Sequence, residues 1–377
     1  MPVRVMLIAG EASGDLHGSG VVRELRALDP GIELYGIGGE NMRREGMDLI
    51  FHIRDLSFMG LAEVLKNLPT VKRVEESMRS RLESRRPDVV VLIDYPGFNL
   101  RFAKVVKRLG IPVLYYISPQ VWAWHKSRVK TMRKLVDRMK VVFPFEVEIY
   151  RREGIDVEFV GHPVVEQIGT STDRSTFCAA HGLDPARKIL GLLPGSRLQE
   201  IDRILPVMAE AARRLETETG AQTAIGVAPN LGMAPIRRRL PGGWSPAFVE
   251  GATYDLMARA DAVVVTSGTA TLETGWFATP MVVVYKTSPL TFFVGRMLVD
   301  VPFIALANIV AGRKVVQELI QNDLTVERLV AEAGALLTDP ARAAQVRADL
   351  SVIRERLGGP GASARVARDV LRLAEAA

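Results

Sequence analysis

Two short segments of this chain combine the residue types that hold a diphosphate. Leu192-Leu193-Pro194-Gly195-Ser196-Arg197 and, further on, Ser267-Gly268-Thr269-Ala270-Thr271-Leu272-Glu273 each read as a strand running through a Gly turn into a helix N-terminus. At such a junction the first backbone N–H groups lack partners and the helix dipole is positive, so phosphate oxygens are attracted. Gly195 and Gly268 let the main chain come close, and Arg197 adds a planar guanidinium suited to bidentate contact. Neither segment ends in the Gly-Lys-Ser/Thr of a P-loop, which argues against hydrolysis through a Walker lysine and for a diphosphate that departs as a leaving group. Taken alone, each turn reads equally as a tight strand-to-helix connection. Together they nominate Gly195, Ser196, Arg197, Ser267, Gly268 and Thr269 as phosphate-binding, with Glu273 one turn into its helix as an acceptor for ribose hydroxyls or, alternatively, a solvated helix carboxylate.

A group transfer from such a leaving group needs a base for the incoming hydroxyl. Asp94 is the candidate: it ends the apolar run from Val89 and precedes the turn Tyr95-Pro96-Gly97, which exposes it. The competing reading is a carboxylate that caps the next helix. His17, His125 and His162 are also available, although a lone histidine is more often a structural hydrogen-bonding group than a base. Trp122 and Trp124 alternate as in a strand or turn and suit either an acyl or sugar surface or ordinary core packing. No Asp-x-Asp pair of the kind that holds a metal on a sugar diphosphate is present, so Arg197 and the two helix N-termini are expected to do without a metal or any other cofactor.

The elements that must position these residues alternate in type. Apolar, β-branched runs at Val3–Ala9, Glu33–Ile37, Val89–Asp94, Pro112–Ile117, Lys140–Phe143 and Val157–Val160 predict buried parallel strands, with helical stretches between most of them. The pattern restarts at Ile189–Leu193, Thr223–Val227, Ala262–Thr266 and Met281–Tyr285. The chain is therefore expected to be α/β, with two Rossmann-like doubly wound domains, residues 1–164 and 165–349, facing across a cleft. The helical tail, interrupted at Gly358-Gly359-Pro360-Gly361, is expected to return residues 350–377 to the first domain.

Composition narrows the partners. The formal charge is +6, which suits phosphorylated substrates or anionic lipid. Neither zinc-ligand spacing nor an RNA-binding signature accompanies that charge, so no nucleic-acid partner is expected. The single cysteine, Cys178, excludes an intramolecular disulfide, and no apolar run approaches the length of a membrane span. Val5–Ala9 is too short for a secretory signal. The turn Gly10-Glu11-Ala12-Ser13-Gly14 lacks the G-x-G-x-x-G spacing of a dinucleotide site.

Longer motifs carry a resemblance. Gly10-Glu11-Ala12-Ser13-Gly14-Asp15, Ile93-Asp94-Tyr95-Pro96-Gly97-Phe98-Asn99, Tyr116-Ile117-Ser118-Pro119-Gln120-Val121-Trp122-Ala123-Trp124, Phe159-Val160-Gly161-His162-Pro163, the two phosphate turns and Asn308-Ile309-Val310-Ala311-Gly312-Arg313 resemble, in order and spacing, the lipid-A-disaccharide synthase family. The resemblance runs from the first strand to about Gln321. It implies an inverting GT-B glycosyltransferase that joins UDP-2,3-diacylglucosamine to 2,3-diacylglucosamine 1-phosphate, releases UDP and forms a β-1′,6 linkage. It also implies Asp94 as base, Arg197 at the leaving group, and Gly14, His17, Asn308 and Arg313 as further substrate contacts. Two departures stand out: Tyr95-Pro96-Gly97 where relatives can have Ala-Pro-Asp, and Ala307 where a Pro is common. The alternatives are another GT-B UDP-sugar enzyme and a non-catalytic nucleotide-sugar-binding protein of the same fold.

Substrates with long acyl chains imply peripheral contact with the anionic, cytoplasmic face of the inner membrane. Leu61, Val64, Leu65 and Leu68, next to Lys72-Arg73, are the expected patch, and Lys126–Lys140 is a second basic stretch. A core helix beside a solvated basic face fits the same spacing. A homodimer is compatible with this reading.

Overall fold

The computed structural model describes residues 2–55, 68–122, 128–289, 292–293 and 302–376, without the side chains of residues 68–71. The chain forms two compact units, Met1–Glu166 with Leu357–Ala377, and Gln167–Arg356. Leu61, Val64 and Leu65 of the expected membrane patch, with Trp124 and His125, lie outside the described residues, and Leu68 is described only as the first residue of the helix Leu68–Ser84.

In the first unit seven strands form one sheet: β1 Arg4–Ala9, β2 Glu33–Gly38, β3 Asp48–His52, β4 Val89–Ile93, β5 Val113–Tyr116, β6 Arg138–Val141 and β7 Val157–Phe159. Their order is β3-β2-β1-β4-β5-β6-β7, and every pairing is parallel. Val89-Val90-Val91-Leu92-Ile93 is buried at every position, as a central strand covered by helices on both faces must be. The second unit repeats the plan with six: β8 Ile189–Leu193, β9 Gln222–Val227, β10 Ala247–Glu250, β11 Ala262–Thr266, β12 Met281–Tyr285 and β13 Gln317–Ile320, in the order β10-β9-β8-β11-β12-β13.

Both orders reverse at one place, between β1 and β4 in the first unit and between β8 and β11 in the second. Connections leave the neighbouring strands there towards opposite faces of the sheet, so the loops after them diverge and leave a crevice at the carboxyl ends. Gly10 and Asp94 follow β1 and β4. Gly195 and Ser267 follow β8 and β11.

The C-terminal segment returns to the first unit at Leu357, whose carbonyl accepts from the His162 N–H at 2.8 Å. The last helix, Ala362–Glu375, packs on the helix Ala12–Leu28 so closely that a Cβ at Gly20 would come within 2.4 Å of Ser363 Oγ. Its N-terminus is held by one carboxylate. Glu166 accepts from Gly361 N at 3.1 Å, Ser363 N at 2.9 Å and Ser363 Oγ at 2.6 Å. These are charge-assisted bonds at the positive end of a helix dipole. Glu166→Ala is therefore expected to destabilise the first unit by about 2 kcal/mol, read as an earlier denaturant midpoint for that unit alone. An unchanged midpoint would mean the tail is held by apolar packing instead.

Candidate active site

The crevice of the second unit is a cavity of about 690 Å³. Gly195, Ser196, Arg197, Ser267, Gly268, Thr269 and Glu273 all line it, so the two sequence-nominated turns meet at one place. Arg197 is exposed and is paired with Glu200 at 3.3 Å, a contact that a stronger anion can displace. Gly268 and Thr269 head the helix Thr269–Trp276, where first-turn N–H groups have no partner inside the helix.

Three backbone donors of these turns are already engaged. Ser267 N donates to Val284 O at 2.9 Å as part of the sheet ladder. Ser196 N and Arg197 N donate to Glu200 Oε2 at 3.0 and 3.2 Å. Glu200 thus sits where an anion would sit at this turn, its carboxylate reaching back to cap the backbone that enters the helix Leu198–Thr219. Gly195 makes that possible: its φ is +108°, and a Cβ there would lie 2.3 Å from Glu200 Oε2. Sequence reading missed Glu200, whose only signal is an acidic residue in the first turn of a helix, where it favours the exposed N–H groups.

Asn308 and Arg313 do not line the cavity. Asn308 is fully buried: Nδ2 donates to Val316 O and Glu318 Oε1, while Oδ1 accepts from Val315 N and Val316 N. All four hydrogen-bonding positions of the amide are filled, which leaves none for a ligand. Its route to the cavity is indirect. Glu318 also accepts from Ile304 N and Ala305 N, and Ile304 O accepts from Ser267 Oγ at 3.0 Å, so Asn308 braces the wall that carries Ser267. Arg313 is paired with Asp349.

In the first unit Asp94 follows β4 in an uncommon backbone conformation. Asp94 and Tyr95 both have φ of +47°, the left-handed region that non-glycine residues avoid. The Asp94 carbonyl is clamped by Asn99 Nδ2 at 2.7 Å and Tyr115 Oη at 2.6 Å, and its N–H donates to Tyr116 O at 3.0 Å. These bonds hold the strained turn and fix where the carboxylate starts. Burial, with a further contribution from the Glu11 charge, pushes the Asp94 carboxyl up to about 6. Tyr95 lies over Gly10 so closely that a Cβ on Gly10 would overlap the ring, at 2.1 Å from Cδ1.

Gly14 is buried in the first turn of the helix Ala12–Leu28, against Ala9. His17 and His162 face each other with ring centroids 6.4 Å apart. Burial lowers His17 to about 4, against the opposing pull of Glu166, and lowers His162 to about 3 with help from His17. Both are neutral at pH 7, and His162 Nδ1 accepts from Val164 N at 3.2 Å. That fits a structural role for His162.

The Ser118-to-Trp122 part of the long motif has its own anchor in Glu146. One oxygen accepts from Ser118 Oγ at 2.9 Å and Trp122 Nε1 at 3.2 Å, the other from Val142 N and Phe143 N. Burial still raises this carboxyl to about 7. Trp122 packs edge-on to Phe145. In the basic stretch Lys126–Lys140, Arg138 pairs with Asp156 at the surface, whereas Lys140 is buried against Glu158 and Asp369 and so belongs to the fold and not to a solvated face.

Two parallel sheets with matching strand orders, each open at its reversal point, define a chain of two Rossmann-like α/β units, the architecture of GT-B glycosyltransferases and nucleotide-sugar epimerases. The glycosyltransferase of kitacinnamycin has this fold, at a TM-score of 0.66 and 17% identity over 99% of each chain. So does the UDP-GlcNAc 2-epimerase from Neisseria meningitidis, at 0.66 and 14% over 99% of this chain and 100% of that one. The family model described as lipid-A-disaccharide synthetase matches residues 5–365, and the lipid-A-disaccharide synthase of Geobacter sulfurreducens is 45% identical over 98% of this chain and 97% of its own. The chain belongs to the lipid-A-disaccharide synthetase family and is a glycosyltransferase.

A carboxyl held near 6 makes the site detectable as a stability defect. The folded chain keeps the Asp94 proton up to about pH 6, whereas the unfolded chain releases it near 3.8, so stability falls between those values and the deficit is complete above 6. Asp94→Asn is expected to stabilise the first unit by about 2 kcal/mol at pH 8 and to leave it unchanged at pH 4, as measured by denaturant titration at both pH values. Equal effects at the two would place the carboxylate in water.

Proposed function

We propose that the chain transfers a 2,3-diacylglucosaminyl group from UDP-2,3-diacylglucosamine to 2,3-diacylglucosamine 1-phosphate, with inversion, giving a β-1′,6-linked disaccharide and UDP. The observation that carries the donor half is the cavity at the β8/β11 reversal, where Arg197, the N-terminus of the helix Thr269–Trp276 and Glu273 converge. The diphosphate would take the guanidinium and the Gly268 and Thr269 N–H groups, with Ser196 contributing its hydroxyl, and Glu200 giving up part of its hold on the turn. Glu273 would accept from the ribose.

The acceptor half rests on Asp94. As the acceptor hydroxyl attacks the anomeric carbon, the bond from that carbon to the diphosphate oxygen breaks, the hydroxyl proton passes to the Asp94 carboxylate, and the electron pair leaves with UDP. A carboxyl near 6 is ionised at pH 7 yet more basic than an ordinary aspartate, which is what general-base catalysis needs. The growing charge on UDP would be met by the Arg197 guanidinium and the Gly268 and Thr269 N–H groups, the kind of stabilisation that strengthens as the bond breaks. Acyl-chain substrates place the enzyme against the cytoplasmic face of the inner membrane as a peripheral protein. Among the described residues no helix is long and apolar enough to cross a membrane, which suits that placement.

Incubating the protein with both presumed substrates in the presence of EDTA is expected to yield UDP and a disaccharide by mass spectrometry, and failure to form either would remove the assignment. Asp94→Asn should lower kcat by about two orders of magnitude while leaving the affinity for UDP near wild type. In the wild type kcat/KM should rise with pH through about 6, the value at which Asp94 loses its proton, and Glu11→Gln should move that limb to lower pH by removing a repelling charge. Arg197→Ala should instead weaken UDP binding and slow turnover together. Tight UDP binding by that variant would mean the donor site lies elsewhere.

A further inference from the structure

Glu273 does not stand alone in the cavity wall. The Tyr254 hydroxyl donates to Glu273 Oε1 at 3.0 Å, and Oε2 has no protein hydrogen-bond partner among the described residues. Both residues line the cavity, from different helices. From this arrangement we infer that Tyr254 is a positioning residue for sugar recognition: it fixes one carboxylate oxygen of Glu273 so that the other is presented to the vicinal hydroxyls of a ribose. The inference rests on the assignment of this cavity to UDP.

Three further observations support it. The helix Thr253–Arg259, which carries Tyr254, is bolted in place at the next residue. The Asp255 carboxylate accepts from Ser171 N, Ser171 Oγ, Thr172 N and Thr172 Oγ1, and Arg259 donates to Thr172 O. A phenol on so rigid a support has little freedom to follow the carboxylate, so the carboxylate follows the phenol. The Tyr254 ring also rests beside Phe277, with centroids 6.4 Å apart, a second contact that supports the ring. Finally, partial burial favours the neutral form of Glu273, and the bond from Tyr254 opposes that tendency. A protonated Glu273 could accept from a ribose diol through one oxygen less, so the same phenol serves both orientation and charge.

The test compares UDP with 2′-deoxy-UDP, which differ only in the hydroxyl that Glu273 would read. Dissociation constants are measured by calorimetry on the full chain, for the wild type, Tyr254→Phe and Glu273→Gln. The wild type is expected to prefer UDP by about tenfold, the range for a hydrogen bond to a charged group. Tyr254→Phe, which removes one oxygen and keeps the ring against Phe277, should reduce that preference to about twofold by weakening UDP binding with 2′-deoxy-UDP unaffected. It should also shift the acid-induced loss of the preference to higher pH, since Glu273 then takes up its proton more readily. Three results would overturn the inference. Full preference in Tyr254→Phe with loss in Glu273→Gln would show that Glu273 reads the ribose unaided. Equal weakening of both nucleotides in Tyr254→Phe would place Tyr254 against another part of the ligand. A wild type that binds UDP with no preference over 2′-deoxy-UDP would remove ribose recognition by Glu273 itself, and no binding of either would remove the donor-site assignment beneath it.

Discussion

Everything in the proposed donor site depends on one constraint of parallel sheets: where the strand order reverses, the loops after adjacent strands must part. Between β8 and β11 that parting makes a space walled by two helix N-termini, before any particular side chain is chosen. The fold therefore supplies partial positive charge and concavity without a buried cation, and the sequence adds Arg197 and Glu273 to the lining. The same reversal between β1 and β4 in the first unit is used differently. There Tyr95 covers Gly10, and the turn presents a carboxylate, Asp94, held in a left-handed backbone conformation. One topology thus yields a crevice lined by helix N-termini in one unit and a turn that carries a buried carboxyl in the other.

Carboxylates do most of the local organising, and burial decides what each can do. Glu166, at the end of the first stretch of its unit, ties down the returning C-terminal helix with three donors. Glu146 gathers Ser118, Trp122 and the backbone at Val142 and Phe143, and is raised to about 7 because its burial outweighs those four bonds. Asp94 is raised to about 6 with far fewer donors on its carboxylate. The difference matters chemically: Glu146 spends its oxygens on the protein, while the Asp94 clamp of Asn99 and Tyr115 acts on the carbonyl and leaves the carboxylate for other work. Glu200 is an intermediate case, a carboxylate that completes the turn at Gly195 by standing in an anion's place.

The central strands were readable from composition because a strand buried on both faces has to be apolar throughout. Val89–Ile93, Ile189–Leu193, Ala262–Thr266 and Met281–Tyr285 announce themselves this way. The strands that sequence reading passed over, β3 Asp48–His52, β10 Ala247–Glu250 and β13 Gln317–Ile320, are all sheet edges. They are short, only partly buried, and carry the charges that edges tolerate, so neither an apolar run nor a clean alternation marks them. At the site, the turns themselves were legible, being local. What was hidden is which donors they have to give: Ser267 N belongs to a ladder with β12, and Ser196 N to a side chain one turn ahead. Asn308 stands in a motif beside the site in sequence, yet its amide is consumed by Val315, Val316 and Glu318. The Tyr254–Glu273 bond joins two helices and has no signature in either.

The central claim, that the β8/β11 crevice holds the diphosphate of UDP, is tested most directly by hydrogen exchange at the two turns with and without UDP. Saturating UDP is expected to slow exchange together in the segments 194–200 and 267–273, since both contribute to one ligand. Unchanged exchange in both segments at saturation, or slowing confined to the first unit, would contradict the account.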